Sequence, residues 1–232
     1  FLNKNLKFYE FGKTYHKLGQ GYNEKECLML LITGKIDSEN WNQNDQKTDF
    51  FFLKEKVEHV LSRLSINKLK SEKFSGFGFS YAHRYSYKND RIVCFGKVER
   101  SIAKSFDIKQ DVFYAEFNWN LILELIQNTK IKYSEVSRFP SVRRDLSLLI
   151  ENKVSFEELL KIAKETDKNI LKSVNLFDVY EGDKVPQGKK SYALSFILED
   201  KTKTLTDKHI DKVMNKLIKS YENKLGAIVR DQ

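Results

Sequence analysis

Hydrophobic positions along the chain change period several times, and each change marks an element. "RRDLSLLI" spaces Leu146, Leu148 and Ile150 two apart, the signature of a strand with one buried face. "SFEELLKIAKET" then moves to helical spacing, with Phe156, Leu159, Leu160 and Ala163 on one stripe. Ser155 opens that helix, and Glu158 three residues later completes a capping box. "ILKSVNLFDVY" is rich in branched and aromatic residues and predicts a second strand. "EGDKVPQGK" holds Gly182, Pro186 and Gly188, which predict a turn. "SYALSFIL" alternates Tyr192, Leu194, Phe196 and Leu198 against Ser191, Ala193, Ser195 and Ile197. "TDKHIDKVMNKLIKSYENK" starts at a Thr206 cap and lines up Ile210, Val213, Met214, Leu217, Ile218 and Tyr221 as one helical face. "LGAIVRD" closes with a short strand.

The order strand, helix, strand, strand, helix, strand is the ferredoxin-like βαββαβ pattern. Both helices then cover one face of an antiparallel sheet and leave the other open. The large apolar set of "SYALSFIL" is expected to point at the helices. Ser191, Ala193 and Ser195 are expected to point outward, where small side chains let a planar base or a backbone come close. The residues before this stretch are more strand-rich. "LKFYEFGKTYH", "ECLMLLITGKI", "RIVCFGKVE" and "VFYAEFNWN" predict strands. "DFFFLKEKVEHVLSRL" predicts a helix with Phe52, Val57, Val60 and Leu64 inward, and "WNLILELIQ" predicts another. Helices on a mostly antiparallel sheet make this half α+β as well. The stretch from Lys130 to Asp145 lacks a clear period, and Pro140 keeps Phe139 out of the helical region. We therefore divide the chain into an antiparallel-sheet module, 1–138, and a ferredoxin-like domain, 139–232.

Composition narrows the function classes. The chain has 232 residues, 41% hydrophobic and 31% charged, enough to bury a core. No apolar run reaches the ~18 residues of a membrane span. It begins with Phe1 rather than methionine, and "FLNKNLKFYEFG" has no cleavable apolar segment, which reads as a piece excised from a longer protein. Net charge is +9, spread over both halves, and favours polyanionic partners. Cys27 and Cys94 lie far apart in apolar runs and read as buried free thiols of a reducing compartment. His16, His59, His83 and His209 are scattered without metal-ligand spacing. No nucleophile elbow, Cys/His pair or phosphate-binding glycine loop is present. Gly76 and Gly78 form a lone GxG that fits a close strand approach or bulge better than a nucleotide loop. No residue is expected to be catalytic, and none to bind metal.

"FPSVRRDLSLLI", "LFDVYEG", "GKKSYALSFIL" and "KTLTDKHIDKVMNKLIKSYENKLGAIVR" resemble successive blocks of a ferredoxin-fold anticodon-binding domain. That domain ends the β subunit of bacterial phenylalanyl-tRNA synthetases. Upstream, "YEFGKTYHK", "LLITGKI", "DFFFLKEKVEHVL", "CFGKVE" and "FYAEFNWNLIL" are similar to the preceding module of that subunit. It resembles a class II catalytic core that has lost its active site. The chain departs from many relatives at "YAHRYSY" and "GKVERS", where histidine-proline turns are common. A working class II core carries an arginine after the GxG of its final motif; position 82 here is Ala82.

The resemblance implies that the tyrosine of "DVYEG" stacks on the anticodon and that the serine of "KKS" contacts the same base. Here these are Tyr180 and Ser191. Lys189 and Lys190 would attract phosphates without base specificity. Taken without the resemblance, Tyr180 suits a ring packed on the sheet rim better than a stacking platform, and the two lysines suit edge charges that discourage sheet-to-sheet pairing. Arg143 and Arg144 recur in the family; Asp145 suits pairing with an arginine, and Arg230 suits a phosphate or no contact at all. The family implies a cytoplasmic α2β2 ligase that joins phenylalanine to its tRNA using ATP and magnesium. This piece would need no cofactor, would partner tRNA and the α subunit, and would meet neither DNA nor membrane. Two other classes share the fold: a regulatory module sensing an amino acid, and a nonspecific RNA-binding domain.

Overall fold

The chain is described from a computed structural model, which covers residues 3–230 except 43, 68, 128–132 and 134. Part of the boundary stretch from Lys130 to Asp145 thus lies outside the described residues. The fold divides into two units, Phe1–Lys132 and Tyr133–Gln232.

The first unit is a six-stranded sheet. β1 (Leu6–Leu18) and β2 (Gly21–Thr33) form a long hairpin paired from Leu6↔Thr33 to Leu18↔Gly21. α1 (Phe50–Arg63), β3 (Lys70–Phe74), β4 (Phe79–Tyr87), β5 (Asp90–Val98), α2 (Arg100–Ser105), β6 (Val112–Asn118) and α3 (Trp119–Ile126) follow. The strand order is β1-β2-β6-β5-β4-β3, with every pair antiparallel. Asp49 caps α1 by accepting from Phe52 N at 2.8 Å, and Asn118 caps α3 by accepting from Leu121 N at 3.2 Å. The core joins Leu53, Val57 and Leu61 of α1 to Phe95 of β5 and to Phe113, Ala115 and Phe117 of β6. The inward stripe of α1 therefore runs through 53, 57 and 61; Phe52, expected inward, sits at its flank with the Lys56 ammonium over its ring. Gly76 precedes the tight turn between β3 and β4, and Gly78 lies in it at φ +92°.

The second unit is a four-stranded sheet under two helices. Its elements are β7 (Val142–Glu151), α4 (Phe156–Thr166), β8 (Leu171–Tyr180), β9 (Lys189–Leu198), α5 (Asp207–Leu225) and β10 (Ile228–Val229). The order β10-β7-β9-β8, antiparallel throughout, is the ferredoxin-like arrangement expected from the pattern. The capping box closes in both directions. Ser155 Oγ accepts from Glu158 N at 3.3 Å, and Ser155 N donates to Glu158 Oε2 at 2.8 Å. Thr206 precedes α5 but makes no side-chain cap bond, so the expected Thr206 cap is positional only. Gly226 ends α5 in the left-handed region, φ +60°.

Leu194, Phe196 and Leu198 of β9 are fully buried with Leu159, Ala163, Leu217 and Tyr221 from the helices. Each such side chain contributes about 1.5–3 kcal/mol by leaving water. Tyr221 Oη donates to the Leu159 carbonyl at 3.2 Å and ties α5 to α4. These contacts leave the opposite face of the sheet without a helix.

Candidate nucleic-acid interface

Register defines the helix-free face row by row. Leu149, Ser191 and Tyr180 lie side by side across β7, β9 and β8. Ser147, Ala193 and Asp178 form the next row, and Asp145, Ser195 and Asn175 the one after. Arg143 and Ile197 follow, with Ser173 on β8. The partition of "SYALSFIL" between the two faces thus matches the alternation.

The heights do not match the simple expectation. Ser191 and Ser195 were expected to stand outward, yet they are only 6% and 5% exposed. They lie on the central strand, at the floor of a trough whose walls are longer side chains of β7 and β8. Ser191 Oγ is 3.3 Å from Ser147 Oγ, so the floor is already partly satisfied. Approach to the sheet therefore happens at the walls.

Tyr180 stands on one wall, 40% exposed, as the cross-strand neighbour of Ser191. Its ring rests against Gly182. A Cβ built there would lie 2.7 Å from the Tyr180 hydroxyl oxygen and 2.8 Å from its Cζ, closer than real Cβ atoms come. Gly182 is thus a seat shaped by the absence of a side chain.

The structure separates the two lysines. Lys189 lies on the same face as Ser191 and Tyr180. Lys190 turns to the other face: it is 8% exposed, donates to the Asn152 carbonyl at 2.9 Å and holds its ammonium 4.6 Å from the Tyr192 ring centroid. One partner absent from the sequence reading is Phe177. The register skips it between Leu176 and Asp178, a bulge. It is half exposed, with the Arg143 guanidinium 5.3 Å from its centroid.

In the first unit, the sheet face opposite Phe95 and Phe117 is built differently. Thr14, His16, Lys25, Cys27, Arg91, Glu116 and Asn118 line a cleft of about 320 Å³. Arg91 Nη2 pairs with Glu116 at 3.1 Å, and Tyr114 donates to the same carboxylate at 3.3 Å. Burial, then Glu116, pushes the Tyr114 phenol up. Glu72 is held below the usual carboxylate range by Lys70 and then Arg84. Burial pushes the Cys94 thiol up to about 11, so it stays protonated and unreactive near neutral pH. Ala82 is buried opposite Gly96, where a Cβ would meet the Tyr81 carbonyl at 2.2 Å.

Two family models match the chain, one within each unit. Residues 137–230 match the family model described as ferredoxin-fold anticodon binding domain. Residues 2–119 match the one described as phenylalanyl tRNA synthetase beta chain CLM domain. The chain is 43% identical, over 98% of its length, to a phenylalanine–tRNA ligase beta subunit of Bacteroides fragilis. Identity is 42% over 98% for that of Bacteroides thetaiotaomicron and 36% over 97% for that of Porphyromonas gingivalis. The chain spans 29% of the length of each. A solved pyrrolysyl-tRNA synthetase of Desulfitobacterium hafniense aligns over 55% of this chain and 44% of its own, with TM-score 0.42 and 16% identity, too slight to carry an argument. A family model that covers half the chain, a second that covers most of the rest, and relatives that share one name have a single reading: the chain belongs to the phenylalanyl-tRNA synthetase beta chain family.

Proposed function

We propose that the second unit reads the anticodon of phenylalanine tRNA and that the first unit is a catalytically silent scaffold. The observation that carries this is Tyr180: a half-exposed phenol on the helix-free face, seated on Gly182 beside Ser191. Single-stranded loop bases are recognised by aromatic stacking and edge hydrogen bonds, commonly on open sheets. Ser191, on the trough floor beside Tyr180, borders the same base from below. Lys189 supplies phosphate attraction from that face; Lys190, engaged on the other, serves the fold.

In this reading the whole enzyme is a cytoplasmic α2β2 ligase that joins phenylalanine to its tRNA with ATP and magnesium. Adenylation belongs to the α subunit. The paired arginines and acids of the first unit's sheet and its inert thiol support a silent module. This chain contributes remote binding energy that holds the acceptor end in place.

The test is binding of the chain to purified tRNAs at rising salt. Expected are preference for phenylalanine tRNA over tRNAs with other anticodons and a linear fall of log affinity with log salt. Equal affinity for all tRNAs makes it a nonspecific RNA binder and overturns the reading. Binding of a free amino acid without affinity for tRNA makes it a sensor. Pyrophosphate exchange by the chain alone is expected to be absent.

A further inference from the structure

The Tyr180 wall of the trough has a second aromatic, and its environment is that of a ligand platform. Phe177 is half exposed on an edge strand, where an apolar ring gains nothing from water. The β-bulge at Phe177 takes it out of the ladder, the kind of irregularity that re-aims a side chain. The Arg143 guanidinium lies over the ring at 5.3 Å. Arg143 is on β7 and Phe177 on β8, and β9 lies between those strands. The arginine therefore reaches across the central strand, above the small side chains of the trough floor. Asp145 holds it there with two bonds, Nε to Oδ1 at 2.8 Å and Nη2 to Oδ2 at 3.1 Å. Asp145 thus braces the guanidinium over the ring.

Arg143 also lines a groove along the β7–β10 edge with Asp145, Ser147, Val229 and Arg230. Asp145 balances Arg143, and Arg144 belongs to the helix side, opposite Phe196, where it reaches Asp207 of α5 at 3.4 Å. Arg230 borders Ser147 through its backbone N–H. Phe177 and Tyr180 are three residues apart on β8, about 10 Å at the usual strand rise, less what the bulge takes up. Successive bases of an unstacked loop lie on successive aromatics at such spacings.

We propose that Phe177 with Arg143 forms a second nucleobase platform, so that the sheet takes two loop nucleotides: one on Tyr180, the other on the free side of the Phe177 ring. The proposal rests on the reading of this face as an RNA reader. Its failure is separable from the failure of that reading.

The test uses the whole chain and a synthetic RNA hairpin carrying the phenylalanine anticodon loop, with fluorescent aminopurine replacing each loop base in turn. Phe177→Ala is expected to weaken binding about 5- to 100-fold. It should abolish aminopurine quenching at one loop position, and Tyr180→Ala should abolish it at a different one. Phe177→Leu keeps apolar bulk without a π face and should lose the same quenching, and Phe177→Trp should retain it. Circular dichroism of each variant reports the fold. If Tyr180→Ala weakens binding while Phe177→Ala and Phe177→Leu bind like the parent, the second platform is overturned and the first stands. Loss of quenching at one shared position in both variants overturns the second platform too. If neither tyrosine nor phenylalanine matters, or the hairpin does not bind, both readings fall.

Discussion

Each sheet packs its main core against helices on one face, yet the opposite faces are made of different materials. In the first unit the middle strands put large polar groups there. Arg91, Glu116 and Tyr114 satisfy one another, and Arg84 with Lys70 holds Glu72. In the second unit the middle strand β9 presents Ser191, Ala193 and Ser195, so the face sinks into a trough and aromatics stand at its wall. The size of side chains on the central strand decides which outcome holds. Long charged groups at the centre close a face on itself. Short ones leave it dependent on what fills the gap.

The largest expected effect breaks the helix-covered side of that comparison. Leu194→Ala empties a fully buried position of β9 and should cost about 2–5 kcal/mol, read by urea denaturation. The second unit should melt early while the transition of the first keeps its place.

Filling the trough sharpens the contrast. Ser195→Leu overpacks a floor position that is 5% exposed and should cost about 1–3 kcal/mol. It should also displace Arg143 and weaken RNA binding. A variant with parental stability and affinity would show that the trough has room to spare.

High pH probes one tyrosine in each unit, Tyr221 buried and Tyr114 partly so. Burial holds the phenols of Tyr221 and Tyr114 above their ordinary value. In the unfolded chain such phenols ionise near pH ~10. A raised folded value means that the stability each contributes is full below that pH and is lost as pH rises beyond it. Tyr221→Phe should lose about 0.5–1.5 kcal/mol at neutral pH, the worth of its bond to the Leu159 carbonyl. It should flatten the alkaline decline of the second unit alone. Thermal melts from neutral to alkaline pH check this.

Much of this contrast was readable in the sequence. The second unit was legible because its signals are local: strict alternation, a Ser155–Glu158 box and a helical stripe to Tyr221. Lys190 was read from its charge as a phosphate contact, whereas the parity of β9 puts it on the helix side with Tyr192 and Leu194. The depth of the trough was not legible. It depends on register across two irregularities in β8, which no single segment encodes. Phe177 escaped for the same reason, since a bulge shifts alternation. In the first unit β3, β4 and α2 were missed. β3 reads "KSEKF", polar on both faces; α2 has six residues and no side-chain cap bond.

The smallest effects separate the lysines. Lys189→Ala should reduce the salt dependence of RNA binding by about 0.7–0.9, one phosphate contact. Lys190→Ala should leave that slope unchanged and lower stability instead, because its ammonium packs on Tyr192 and bonds Asn152.

The account depends most on the ring at position 180. The most direct measurement is tRNA affinity across Tyr180→Ala, Tyr180→Phe and Gly182→Ala, with folding checked by circular dichroism. Stacking predicts that Tyr180→Ala loses about 1–3 kcal/mol, Tyr180→Phe stays near the parent, and Gly182→Ala falls between as its new methyl pushes the ring aside. Parental affinity in a folded Tyr180→Ala chain would contradict it.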